Sequence, residues 1–163
     1  MDPLFAPPAE AWHPVSVKLR TLHRLMLVVW TVVPAVVAIA VVALVLQWWW
    51  LVALLAAVAV AVIVWGWFWA ARNQAAWGFA ENAEDLWIRH GVAWRQIVAV
   101  PYGRVQYVDV TAGPLERSYG IAKVSLHTAS SQTSAVIPGI PADEAARLRD
   151  RLTELGKTRG SGI

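Results

Sequence analysis

From Leu25 to Ala71 the chain carries no Asp, Glu, Lys, Arg or His, and only Thr31 and Gln47 interrupt the apolar run. One straight helix over this run would measure about 70 Å, more than twice a hydrocarbon core of about 30 Å. Two helices fit, over 25–46 and 49–71. The turn between them falls at Gln47 and at Trp48, Trp49 and Trp50, residues suited to a membrane–water interface. A second aromatic group, Trp65, Trp67, Phe68 and Trp69, follows about one bilayer thickness later, as an opposite belt requires. The pattern therefore predicts a membrane α-hairpin of two transmembrane helices. Within it Ala53, Ala57 and Ala61 recur every fourth residue. Small residues at that spacing let helices approach closely, against the first span or a second copy of the chain. The abundance of alanine in apolar helices accounts for the same spacing.

Past Arg72 the periodicity changes from helical to alternating. The segments 75–81, 84–90, 92–100 and 104–111 read as strands, the last with a bulge near Gln106-Tyr107 where its apolar phase shifts. After Gly113-Pro114, residues 121–128 alternate cleanly, with Ala122, Val124 and Leu126 on one face and Lys123, Ser125 and His127 on the other. A polar loop over 129–134 leads to a last strand over 134–139. The chain closes on a helix over 141–155, opened by Pro141, Asp143 and Glu144 and capped by Gly156. Ala145, Leu148, Leu152 and Leu155 form its buried stripe, and Arg147 and Arg151 a solvated face. The expected organisation is an N-terminal segment 1–24, the spans 25–46 and 49–71, a β domain 73–155 and a flexible tail 156–163. In the N-terminal segment Val15, Leu19 and Leu22 stand at helical spacing, which fits either an interfacial lead-in or the start of the first span.

Charge sharpens this picture. Charged residues make up 15% of the chain, against about 25% in an average soluble domain, and the deficit lies in the two spans. The isoelectric point near 9.7 does not mark a nucleic-acid binder. Residues 73–163 carry ten basic and nine acidic side chains, with no basic stripe interleaved with aromatics. The excess sits at the membrane flanks. Lys18, Arg20 and Arg24 precede the first span, Arg72 follows the second, and the turn between them is uncharged. By the positive-inside rule both termini face the cytoplasm. A cleaved signal peptide ending at Ala38-Ile39-Ala40 is disfavoured, because its apolar region would be too long and a second span follows.

The chain has no cysteine, which excludes disulfides, thiolate metal sites and thiol catalysis. Its four histidines, at 13, 23, 90 and 127, lie in different elements without metal-ligand spacing. No serine has a nucleophile-elbow context, and Gly156-Lys157-Thr158 follows a helix instead of a strand, with Arg151 where a phosphate loop needs glycine. No catalytic residue, metal ligand or cofactor is expected. The spans hold no ionisable group that would mark a transport path, so the hairpin reads as an anchor.

A family resemblance rests on one stretch in particular. The segment VPYGRVQYVDVTAGPLERSYGIAKV carries Pro101, Arg104, Val105, Gln106, Arg117, Gly120, Ile121 and Ala122. Together with the hairpin, the Trp-rich approach, VIPGI and the closing helix, it resembles the small membrane-anchored members of the bacterial PH-like (pleckstrin-homology-like) family, over about residues 12–155. The resemblance implies a small PH-like barrel or split β-sandwich closed by a C-terminal helix, and a non-catalytic role with no established ligand. Arg104, Gln106 and Arg117 beside Tyr107 and Tyr119 then become the expected interaction surface, unless the arginines pair internally with Asp109 or Glu116. Its partner would be another membrane protein or a second copy, making the chain a scaffold, adaptor or assembly factor at the bacterial inner membrane that the resemblance implies. The alternative is a sensor of anionic lipid. Glu81, Glu84 and Asp85 repel phosphate from the first strand-to-strand loop, so Arg89, His90 and Arg95 are its best headgroup contacts.

Overall fold

The computed structural model describes residues 12–128 and 134–160. They fall into two compact units. The first is a hairpin unit, Arg20–Arg72. The second is a β unit drawn from both flanks, through Leu19 and from Asn73 onward.

In the hairpin unit α1 (Val17–Val41) passes into a π-helical turn over Val42–Leu46, and α2 (Trp49–Ala76) returns. Gln47 stands between them in the left-handed region (φ 53°), its N–H donating to the Val42 carbonyl at 2.9 Å. Both helices are long and apolar enough to cross a membrane. There a helix satisfies its own backbone, and even valine-rich segments are held helical. Half-buried positions recur along α2 at Leu55, Ala59, Ile63 and Gly66, and along α1 at Leu27, Thr31, Ala35 and Ala38. Leu27 fills the space that a Cβ on Gly66 would take. The Arg24 guanidinium lies 4.1 Å from the Trp67 ring centroid, and its Nη2 donates to the Trp67 carbonyl at 3.2 Å.

The β unit contains two antiparallel sheets. One orders β1 (His13–Pro14), β2 (Gly78–Glu81), β3 (Asp85–His90) and β4 (Gln96–Pro101); the other orders β5 (Val105–Thr111), β6 (Ile121–Thr128) and β7 (Ala135–Pro141). A short helix α3 (Pro114–Ser118) joins β5 to β6, and α4 (Ala142–Gly160) closes the chain. Alternation decides the faces. Leu86 and Ile88 on β3, and Val124 and Leu126 on β6, are fully buried while their neighbours are not. Ala145, Leu148 and Leu152 of α4 are fully buried as well, each leucine contributing roughly 1.5–3 kcal/mol of burial. The register of β5 against β6 shifts between Val105 and Tyr107, at the expected bulge.

Several boundaries differ from the sequence reading. The segment before the hairpin is part of the β unit. His13 and Pro14 pair with Phe79 and Gly78, and Val15 and Leu19 are buried. The hairpin thus interrupts the β fold between its first and second strands. Residues 75–76 remain in α2, and β2 starts only at Gly78. The span expected over 92–100 yields a turn first, because Gly91 (φ +97°) bends the chain and pairing resumes at Gln96. Gly156 does not cap α4. The helix runs on to Gly160, and a Cβ at 156 would make only an ordinary contact with the Val105 carbonyl, at 3.5 Å. The segment expected as a tail is helical as far as 160. Residues 161–163, and the polar loop over 129–133, lie outside the described residues.

A second bulge explains how the lead-in docks. Ala122 pairs with Ile140 and Val124 with Ile137, so β7 holds one extra residue at Pro138-Gly139. Gly139 adopts φ +67°, and its carbonyl accepts from Ser16 N–H at 2.9 Å. A Cβ there would lie 2.7 Å from Leu19 Cβ. Across from it the buried Gln74 side chain donates to the Val15 carbonyl at 2.8 Å, joining the two points where the chain leaves the β unit.

Candidate functional site

The expected interaction surface divides in two. Arg104, Gln106 and Tyr107 stand together at the start of β5, all exposed, with Tyr107 57% accessible. The Tyr107 ring stacks on His127 across the strand pair, centroids 4.3 Å apart and 11° between planes. This fixes the aromatic face while leaving its edge and hydroxyl in solvent. Among the described residues Arg104 forms no ion pair. Arg117 and Tyr119 follow the other end of β5, which lies about 20 Å along the strand from its start at 3.4 Å per residue. Arg117 Nε donates to the Ala112 carbonyl at 3.0 Å, and Glu116 accepts from Gly113 N–H at 2.7 Å, so both serve the α3 turn. The structure brings three of the five residues together.

Arg89, His90 and Arg95 occupy one end of the four-stranded sheet. His90 stacks on Trp77 (4.9 Å), and the Arg89 guanidinium lies over Trp12 (4.9 Å). Burial, with the charge of Arg95 beside it, lowers the Arg89 pKa from the ordinary arginine value. Between them the turn Gly91–Arg95 lifts Trp94 to 84% exposure. Sequence reasoning missed Trp94 by placing it in a strand. The signal was there in Gly91, whose freedom to turn ends the strand before the tryptophan.

Glu81, expected as a loop charge that repels phosphate, has a different place and role. It is buried on β2, and it receives Arg147 Nη2 at 2.9 Å and Arg151 Nη1 at 3.3 Å from α4. The two arginines expected on a solvated face are half exposed and close α4 onto the sheet. The hydrogen bond and charge of Glu81 raise the Arg147 pKa. Ala53, Ala57 and Ala61 lie on the exposed face of α2, away from the half-buried positions of the seam. Among the described residues no group of His, Asp and Glu could hold a metal ion.

The model of a bacterial PH domain family matches residues 17–156, both hairpin helices included. The chain belongs to the bacterial PH domain family. It is also similar to the UPF0699 transmembrane protein YdbS of Bacillus subtilis (strain 168), with 33% identity over 87 residues. That match covers 53% of this chain and 54% of the relative, so the chain spans about half the length of the curated relative it matches. No solved structure matches. Family and fold agree: this is a transmembrane protein with an apolar hairpin and a PH-like unit of two antiparallel sheets closed by α4.

Proposed function

We propose that this bacterial PH domain protein is a non-catalytic scaffold, adaptor or assembly factor, tethered to the inner membrane by its hairpin with both termini in the cytoplasm. The basic residues Lys18, Arg20, Arg24 and Arg72 at the hairpin base, against its uncharged turn, support that orientation. The observation carrying the interaction role is the start of β5. Arg104, in the turn just before β5, and Gln106 and Tyr107, at the strand's bulge, are all exposed, with Tyr107 held by His127. Arginine and tyrosine are enriched at interface hot spots, and a preset ring loses little rotamer freedom on binding. The partner is a protein that presents a carboxylate to Arg104 and a ring or aliphatic patch to Tyr107.

A photoreactive amino acid at position 107, irradiated in native membranes, tests this. The expected product is a single adduct with one other protein, lost on Arg104→Glu and retained on Arg149→Glu. Adducts that spread over many proteins and ignore Arg104→Glu would overturn the reading.

A further inference from the structure

At one end of the four-stranded sheet three features meet. β1 ends there at Pro14, β2 begins there at Gly78, and the pairings Pro14–Gly78 and Gly78–Arg89 bring the β3–β4 turn alongside them. Leu19 and Asn73, where the β unit gives way to the hairpin unit, lie five positions from Pro14 and Gly78. Within the β unit, the turn is therefore at the sheet end nearest along the chain to both of the unit's exits.

We propose that the β3–β4 turn is a membrane-contact loop: Trp94 seats in the headgroup region of the bilayer, and Arg95 meets the phosphates of anionic lipids. An indole with an apolar body and one N–H donor partitions to that region, and Trp94 is the most exposed large apolar side chain among the described residues, at 84%. The geometry of the turn is preset. Gly91 holds φ +97°, and a side chain there would strike the Trp94 carbonyl. Charge is arranged to match. Arg89, His90 and Arg95 gather at this end, while Glu84 and Asp85 sit at the opposite end of β3, roughly 14 Å away along the strand. No Asp or Glu occurs from Leu86 through Tyr107. Each arginine near an anionic leaflet strengthens association roughly fivefold. The inference is independent of the β5 surface, whose failure would leave it standing.

The test uses the full chain in nanodiscs of phosphatidylcholine, with or without phosphatidylglycerol. Because the chain lacks cysteine, Ala93→Cys takes a single NBD fluorophore with Trp94 retained, and Glu84→Cys labels the opposite end. Expected is blue-shifted emission at position 93, quenched by lipids brominated near the headgroups, and water-like unquenched emission at position 84. Trp94→Ser should remove the shift in both membranes. Arg95→Glu should reduce it only with phosphatidylglycerol. Unquenched, water-like emission at position 93 in both membranes would overturn the proposal. An Arg95→Glu effect that is equal in both would overturn its lipid-phosphate half. Both side chains are exposed, so an unchanged unfolding temperature separates these outcomes from misfolding.

Discussion

At the Glu81 end of the four-stranded sheet, the buried charge is paired within the protein, although Glu81 Oε2 and Asn82 Oδ1 make no hydrogen bond. Two arginines of α4 reach Glu81, Asn82 bonds Asp85 at 3.1 Å, and the buried Tyr102 donates its hydroxyl to the Asn82 carbonyl at 2.9 Å. At the Gly78 end Arg89 Nε and Trp12 Nε1 are likewise buried without a hydrogen-bond partner, but among the described residues neither Arg89 nor Arg95 forms an ion pair, and Trp94 rises into the open. A closed end needs directional bonds that fix it. An end set at a bilayer needs aromatic and cationic groups whose partners are headgroups. Ion pairing and exposure in this sheet therefore vary along its strands as well as across its faces.

Substitutions should separate the ends. The largest effect is expected where α4 seals the core. Leu148→Ala removes a fully buried side chain and should cost about 2–5 kcal/mol, read as a drop in unfolding temperature of the purified protein. Gln74→Leu comes next. It strands the Val15 carbonyl, at roughly 1–3 kcal/mol, and should speed proteolysis before residue 20. Glu81→Ala should cost about 1 kcal/mol, because Arg147 and Arg151, 51% and 54% exposed, regain water once unpaired. From the arginine side the sign is fixed. A pKa raised on folding gives stability that is full below the unfolded value and lost only as pH climbs through the folded one. The Arg147 contribution should therefore stay flat through neutral pH in thermal melts and disappear only in strong alkali. Trp94→Ser should change stability by less than about 0.5 kcal/mol, although it abolishes the proposed lipid contact. A large loss there would erase the contrast between the two ends.

What could be read from the sequence divides by the range of the interactions. The hairpin turn at Gln47, the alternation of Ala122, Val124 and Leu126, and the bulge at Gln106-Tyr107 are local patterns, and the structure carries them at those places. The role of His13–Pro14 was not legible, since two residues hold no periodicity and their partner strand lies beyond the whole hairpin. Nor was the pairing of Glu81 with Arg147 and Arg151, which depends on where α4 settles. Gly139 shows the same limit. Its glycine marks a bend, but only the packing of Leu19 says what the bend is for. At the candidate site, Arg104, Gln106 and Tyr107 fell together because they are near neighbours in sequence, where a short turn enters β5. Arg117 and Tyr119 did not, because α3 turns the chain away.

The central claim is that the hairpin, inserted between β1 and β2, crosses the membrane twice and leaves the β unit in the cytoplasm. The cysteine-less chain allows a direct test with single cysteines at Trp48, in the hairpin turn, and at Thr111, exposed on β5. A membrane-impermeant maleimide added to spheroplasts is predicted to label Trp48→Cys at once and Thr111→Cys only after lysis. Labelling of Thr111→Cys in intact spheroplasts, with Trp48→Cys silent, would contradict the account.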